Sequence, residues 1–214
     1  MPRNRSLLVC VPDTNSLIHL REVEIAGRDA RLWLWDEFEV RVGSTIPQEA
    51  ARHPDLMRGQ LKRKLERSVV SPAFDLNRIE QSFLTPLGIS VEAENDMGER
   101  DNCSVALQLI IQNNARQVIF LTDELRIVRD QGGFVKQLFD AYPIGLLWNS
   151  LDFLVYLYLR QWRFRYSEAE SAVRTVNARI GGPQDQVANR LVTYTQHLQS
   201  IDSARRQLPT LWRR

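Results

Sequence analysis

The chain has 214 residues, of which 43% are hydrophobic and 25% charged, and its formal net charge is +2. These values are ordinary for a soluble globular protein, and at this length the chain needs neither disulfides nor a structural metal to form a core. A chain of this length can bury a sizeable core in one generous domain, or in one domain with an appendage.

Cysteine usage and hydropathy indicate the compartment. Cys10 and Cys103 lie in apolar surroundings without CxxC spacing, so we expect buried thiols in a reducing compartment. The apolar run near the N-terminus is too short for a signal sequence. The longest later run, residues 151–159, contains Asp152 and falls far short of the ~20 residues that span a bilayer. We therefore expect a cytoplasmic protein without a membrane partner.

Predicted strands and helices alternate through the first two thirds of the chain. The apolar run at residues 6–11 is typical of a central strand buried on both faces, and a short helix is predicted just after Asp13. Residues 86–98 are predicted to form a loop. Further helices are predicted over residues 28–38, from Pro47, over 56–67 and from Glu99 to about 112, and further strands over residues 40–46, 118–121 and 144–147.

This alternation predicts an α/β fold with a parallel sheet covered by helices on both sides. Three long helices are then predicted over about residues 150–165, 167–180 and 184–204. We accordingly divide the chain into an α/β domain, residues 1–148, and a C-terminal helical extension, residues 149–214.

The two parts differ in charge. Residues 160–214 hold ten arginines and four acidic residues, a net charge of +6, whereas the rest of the chain carries −4. Such a segment is either a solvated helical surface or a basic face for a polyanion. On the second interpretation, the candidate nucleic-acid contacts are Arg163, Arg165, Arg205 and Arg206.

The last predicted helix also has an apolar face. It carries Val187, Leu191, Leu198 and Ile201 on one side. This face is expected to pack against the core or against a second copy of the chain, so a homodimer is possible.

Acidic residues recur where predicted strands pass into helices. Asp13 and Asp123 follow strands, and ligands of parallel sheets bind beyond the carboxyl ends of the strands. Glu49 in IPQEAAR, and Glu99 and Asp101 in MGERDNCSVALQL, begin helices. Each acid has an ordinary structural explanation as a helix cap or as a match to the helix dipole.

Taken together, the acids predict a different role. Mg²⁺ prefers oxygen ligands, and a bound cation assists phosphodiester hydrolysis by activating water and neutralising charge. Carboxylates gathered at one sheet edge repel each other unless a cation relieves them. The pattern therefore favours a metal-dependent hydrolase.

Four motifs resemble those of the PIN-domain nucleases. They are VCVPDTNSLIHL, IPQEA, GERDNCSVALQL and VIFLTDE, which cover roughly residues 6–148 in the family's order. The resemblance implies a three-layer α/β/α sandwich with a central parallel sheet, a Mg²⁺ or Mn²⁺ cofactor, and RNA as the substrate of an endonuclease. An antitoxin or another protein is a possible partner.

The resemblance also assigns roles to residues. It implies that Asp13, Glu49, Asp101 and Asp123 are catalytic, with Asn15 and Thr122 in support. Asp13 and Asp123 would bind the metal, together with Asp101 or Glu99 as the third acid. Asp101 is preferred to Glu99 because its spacing to the apolar helix fits the family better.

Two other classes compete with a nuclease. A phosphatase of the haloacid-dehalogenase class also has an Asp after its first strand, but it needs a second Asp two residues later, where this chain has Asn15. A PIN-like module that binds RNA or protein without cutting is the stronger alternative. Retention of all four acids favours the enzyme.

Overall fold

The structure of the chain is a computed structural model. The side chains of Glu80, Met97, Glu99 and Phe134 are not described. The described residues are 8–71, 78, 80–88, 97–112, 114–124 and 134–211.

Strands and helices alternate up to residue 148, and only helices follow. The strands are β1 (Leu8–Pro12), β2 (Glu24–Ile25), β3 (Arg28–Asp29), β4 (Glu39–Val40), β5 (Gln117–Leu121) and β6 (Gly145–Trp148). The helices are α1 (Thr14–His19), α2 (Ala30–Glu37), α3 (Thr45–Ala50), α4 (Gly59–Ser68), α5 (Met97–Ile111), α6 (Phe134–Ala141), α7 (Ser150–Arg160), α8 (Tyr166–Ile180) and α9 (Gln184–Gln207), with short π- or 3₁₀-helical turns at Glu80–Leu84, Thr85–Leu87 and Pro209–Leu211.

A four-strand parallel sheet in the order β4-β1-β5-β6 organises the first part. β1 pairs with β5 in register from Leu8 opposite Gln117 to Pro12 opposite Leu121. In these two central strands every residue but the first is buried, as expected for strands covered on both faces. The predicted α/β class and parallel sheet are confirmed, and the sheet is flanked by helices.

The second predicted strand is too long. β4 ends at Val40, although the Arg41 N–H still donates to the Cys10 carbonyl of β1 and Val42 forms an isolated parallel bridge with Val69. The backbone N–H groups of Gly43 and Thr45 then bond to side chains. The Asn102 side-chain oxygen accepts from the Gly43 N–H at 2.9 Å, and Asp101 Oδ2 accepts from the Thr45 N–H at 2.9 Å. Thr45 then opens α3.

One face of the sheet packs on α5 and α6. The apolar cluster there joins alternate residues of β1 and β5, which point to the same face, with the helices. The buried members of this cluster are Val9, Val11, Leu84, Cys103, Val105, Ala106, Leu107, Leu109, Ala115, Val118, Phe120, Val135, Leu138, Phe139 and Ile144.

Cys10 and Cys103 are free and buried, as predicted, and burial raises the pKa of the Cys10 thiol.

The described residues group into two compact units. The α/β unit contains the residues up to Ile18 and those from Arg31 to Leu147, and the helical unit contains His19–Ala30 and the residues from Trp148 onward. The hairpin of β2 and β3 belongs to the helical unit. Within that unit Arg179 donates to the His19 carbonyl at 3.0 Å and pairs with Glu22 at 3.0 Å.

The three C-terminal helices pack together within the helical unit. The Asn149 side chain caps α7 by accepting from the Leu151 and Asp152 N–H groups. α7 ends at Arg160, five residues before the predicted end. Beyond it, the Gln161 and Phe164 carbonyls accept from the Arg205 guanidinium at 2.9 and 3.0 Å.

The apolar face of α9 packs on α7 and α8. Tyr194 and Leu198 on this face are buried, and Val187, Leu191 and Ile201 are half-buried. The apolar face of α9 therefore packs against other helices of the same unit, which is one of the two roles predicted for it. Among the described helices, none is long and apolar enough to cross a membrane.

Candidate active site

Asp13 lies at the carboxyl end of the central strand β1 and caps α1. Its Oδ1 accepts from the Ser16 N–H at 2.6 Å and from the Ser16 hydroxyl at 2.5 Å. Its Oδ2 accepts from the Thr122 hydroxyl at 2.7 Å. Helix capping was the structural alternative for each acid, and Asp13 does cap a helix. Ser16 binds Oδ1 and Thr122 binds Oδ2, so both carboxylate oxygens are held in defined positions.

Asp123 lies at the end of the neighbouring strand β5. Asp13 and Asp123 are each 5% exposed. The adjacent Thr122 hydroxyl bonds Asp13 and accepts from the Glu124 N–H at 3.1 Å. The parallel pairing of β1 and β5 therefore brings together two acids that are 110 positions apart in the sequence.

The pKa of Asp13 is raised to about 6, chiefly by burial and also by repulsion from Asp123, while its hydrogen bonds to Ser16 and Thr122 act in the opposite direction. An ionised carboxylate is costly here because it has lost water and faces a like charge. A divalent cation would relieve both costs, and Mg²⁺ is commonly held by one or two carboxylates plus water. The Asp13–Asp123 pair therefore fits such a cation.

Glu49 reaches toward the same edge from α3. Its Oε2 accepts from the Thr14 hydroxyl at 2.6 Å, and Thr14 follows Asp13 directly. A β-carbon at Gly98 would lie 2.5 Å from Glu49 Oε1, so the absence of a side chain in the first turn of α5 makes room for this carboxylate. Glu49 is half-buried, and its carboxylate is bound by the residue that follows Asp13 in the sequence.

Asp101 is 2% exposed and is bound to the start of α3. Its Oδ2 accepts from the Thr45 N–H at 2.9 Å and from the Thr45 and Ser44 hydroxyls at 3.0 and 3.3 Å. A β-carbon at Gly43 would collide with the same carboxylate. A negative charge at a helix N-terminus is stabilising. Asp101 thus has a structural role that accounts for its position.

The structure does not bring all of the predicted metal ligands together at one site. In the described part of the chain, no three His, Cys, Asp or Glu side chains come close enough to share a metal ion. Asp13 and Asp123 form a pair, whereas Asp101 is engaged by α3, so a shared three-acid site with Asp101 is not present among these residues. The Glu99 side chain lies outside the described residues, and its predicted role stays a prediction.

Several polar contacts at this edge were not predicted from the sequence. Asn15 was predicted as a supporting residue, and it is exposed and donates to Glu124 Oε2 at 3.2 Å. The contacts of Thr14, Ser16 and Glu124 were not predicted, although each of them lies within three positions of Asp13 or Asp123 in the sequence. That adjacency was the available signal.

The candidate nucleic-acid contacts lie in the helical unit and differ among themselves. Arg163 and Arg165 are exposed, and Arg206 pairs with Asp202 at 2.6 Å within α9. Arg205 instead directs its guanidinium to main-chain carbonyls and lies 3.9 Å from the centre of the Tyr158 ring. Its hydrogen bonds join α9 to the end of α7, so Arg205 has a structural role and is not a candidate nucleic-acid contact.

No model of a known protein family matches the chain, and neither the curated proteins nor the solved structures that were compared include a significant match.

Proposed function

We propose that the chain is a metal-dependent ribonuclease of the PIN-domain type, with a three-layer α/β/α sandwich as its catalytic domain. The observation that carries the proposal is the Asp13–Asp123 pair. Both carboxylates are buried at the carboxyl ends of adjacent parallel strands, where ligands of such sheets bind. A purely structural edge has no need of two repelling acids.

In this proposal each polar residue of the site has a separate role. Asp13 and Asp123 would hold Mg²⁺ or Mn²⁺, while Ser16 and Thr122 fix the Asp13 oxygens. A bound cation lowers the pKa of water and neutralises charge on phosphate oxygens. Glu49, held by Thr14, is the carboxylate that we assign to positioning the attacking water. Asp101 orients the start of α3, which carries Glu49.

The proposal is tested with the purified full-length chain, an unstructured RNA and added Mn²⁺. We expect cleavage that stops with EDTA. Replacing one preorganised electrostatic group commonly costs about 10²–10³-fold in rate, so Asp13→Asn and Asp123→Asn should each lose at least that much. Asp140→Asn is the matched control, because Asp140 is an exposed partner of Lys136 on α6.

Two outcomes would contradict the proposal. Cleavage by either aspartate variant near the wild-type rate would remove the site from the reaction. Release of phosphate from small phosphomonoesters without RNA cleavage would instead support a phosphatase.

A PIN-like module that binds RNA or protein without cutting is the second candidate. Asp101 favours it, because this acid is satisfied by three donors at the start of α3. RNA binding by the wild-type chain without metal-dependent cleavage would support this alternative.

A further inference from the structure

One end of the helical unit joins two arginine-rich segments. The Arg205 guanidinium donates to the carbonyls of Gln161 and Phe164 at 2.9 and 3.0 Å, and also to the carbonyl of Tyr158. These bonds tie the C-terminal end of α9 to the connector between α7 and α8. Two segments more than 40 residues apart in the sequence therefore form one surface.

This surface is positively charged. From residue 160 to residue 167 the sequence RQWRFRYS contains three arginines and no acidic residue. The arginine side chains of the connector are exposed, and so is Arg206 on α9. Two acids lie nearby: Glu168 accepts from the Arg165 N–H at 3.0 Å, and Asp202 accepts from the Tyr158 hydroxyl and pairs with Arg206. Exposed ion pairs of this kind are weak, so Arg206 can turn to a phosphate at little cost.

Trp162 lies in the middle of these arginines. It is 56% exposed, whereas Phe164, two residues later, is fully buried. The Arg163 guanidinium lies over the Trp162 ring, 5.4 Å from its centre. An exposed indole beside cations is the combination on which single-stranded nucleic acids stack their bases while their phosphates meet basic side chains.

We propose that this surface binds single-stranded RNA, with a base stacked on Trp162 and phosphates held by Arg163, Arg165 and Arg206. Single strands are favoured over a duplex because the bases of a duplex already stack on each other and cannot reach Trp162. A membrane surface is disfavoured because the arginines surround the indole instead of occupying the opposite face of an apolar helix. The proposal adds an RNA-binding surface of the helical unit to the proposed ribonuclease function, and binding at this surface does not require cleavage.

The test measures binding without metal, so that its outcome is independent of the proposed cleavage. The probe is a fluorescein-labelled oligouridylate of about 12 nucleotides, within the range that one such site covers. It is titrated with the full-length chain in EDTA, and fluorescence anisotropy gives the affinity. Loss of one stacked base costs about 5- to 150-fold in affinity, which is the weakening that we expect for Trp162→Ala. Trp162→Phe should retain most of the affinity, because a phenyl ring still stacks.

The charged residues are tested by salt dependence. The double variant Arg163→Gln, Arg165→Gln should lower the magnitude of the slope of log affinity against log salt by about 1.4, or ~0.7 per lost contact. The matched control is Arg174→Gln, since Arg174 is an exposed arginine of α8 paired with Glu170 outside this surface. It should leave both affinity and slope unchanged.

A measurement on the unmutated chain guards against misfolded variants. Photocrosslinking with a 4-thiouridine oligonucleotide should label the peptide that contains Trp162. The proposal is overturned if Trp162→Ala binds the oligouridylate like the wild type, if crosslinks fall only elsewhere, or if duplex RNA binds as tightly as the single strand. Binding to vesicles of phosphatidylserine that depends on Trp162, with RNA binding indifferent to it, would assign the surface to membranes instead.

Discussion

Gly98 makes room for Glu49: a β-carbon at Gly98 would lie 2.5 Å from Glu49 Oε1. The glycine opens α5, and Glu49 belongs to α3, so the contact joins two helices that are distant in the sequence. The atom that would be struck is the far end of a flexible side chain. A methyl group at this position should therefore move the Glu49 carboxylate and leave the fold intact.

Gly98→Ala thus separates catalysis from stability. We expect cleavage to fall by about 10²-fold, the usual cost of displacing a catalytic group by about 1 Å. The free energy of unfolding should change by less than about 1 kcal/mol, because alanine suits a helix better than glycine. Rates under single turnover and urea unfolding measure the two effects. Wild-type cleavage by this variant would show that the position of Glu49 does not matter to the reaction.

The raised pKa of Asp13 predicts how stability depends on pH. Burial and Asp123 raise this pKa from 3.8 to about 6, so the folded chain keeps a proton that the unfolded chain releases earlier. Its contribution to stability is fully present below the unfolded pKa and is lost as pH rises through about 6. At neutral pH the ionised group therefore costs up to about 3 kcal/mol.

In metal-free buffer near pH 7.5, Asp13→Asn should be more stable than the wild type by about 1–3 kcal/mol, and this gain should fall by about half near pH 5. Urea unfolding at both pH values measures it, with Asp140→Asn as the control. Added Mn²⁺ should stabilise the wild type and not the Asp13 variant. A gain that is the same at both pH values would mean that Asp13 is not the titrating group.

The roles of Asp101 and Glu99 can be distinguished by comparing Asp101→Asn with Glu99→Gln. Asp101 binds the Thr45 N–H and hydroxyl at the start of α3, so its variant should lose about 1 kcal/mol of stability together with cleavage. We expect Glu99→Gln to damage cleavage less. The readouts are single-turnover rates and melting temperatures. A larger loss for Glu99→Gln, with an unchanged melting temperature, would identify Glu99 as the third acid.

Arg205 and Arg206 are neighbours with different roles. Arg205→Ala removes donors from the carbonyls of Tyr158, Gln161 and Phe164, so we expect it to destabilise the chain by about 2–4 kcal/mol. Arg206→Ala removes only an exposed ion pair with Asp202 and should cost under about 0.5 kcal/mol. Thermal unfolding of both variants makes the comparison. Equal stability would show that the Arg205 hydrogen bonds are not important for the fold.

Local patterns in the sequence determined the class of fold and the positions of Asp13 and Asp123 at the ends of two strands. An apolar run buried on both faces predicts a central parallel strand, and residues that follow such strands lie at the same sheet edge. Asp13 and Asp123 do follow β1 and β5, which pair in parallel. The apolar periodicity of α8 and α9 likewise predicted these two helices to within a few residues of their bounds.

Only the tertiary structure decided what each acid contacts. Asp101 binds Thr45, 56 positions away, at the start of α3, within the segment that was predicted to end a longer strand. Arg205 donates to the carbonyls of Tyr158, Gln161 and Phe164 around the end of α7, contacts that its position in the sequence did not predict. Helix and strand signals depend on neighbouring residues, whereas these hydrogen bonds depend on which elements pack together. The partner of a polar side chain is set by that packing, because a buried donor or acceptor must find whichever group the fold brings near it.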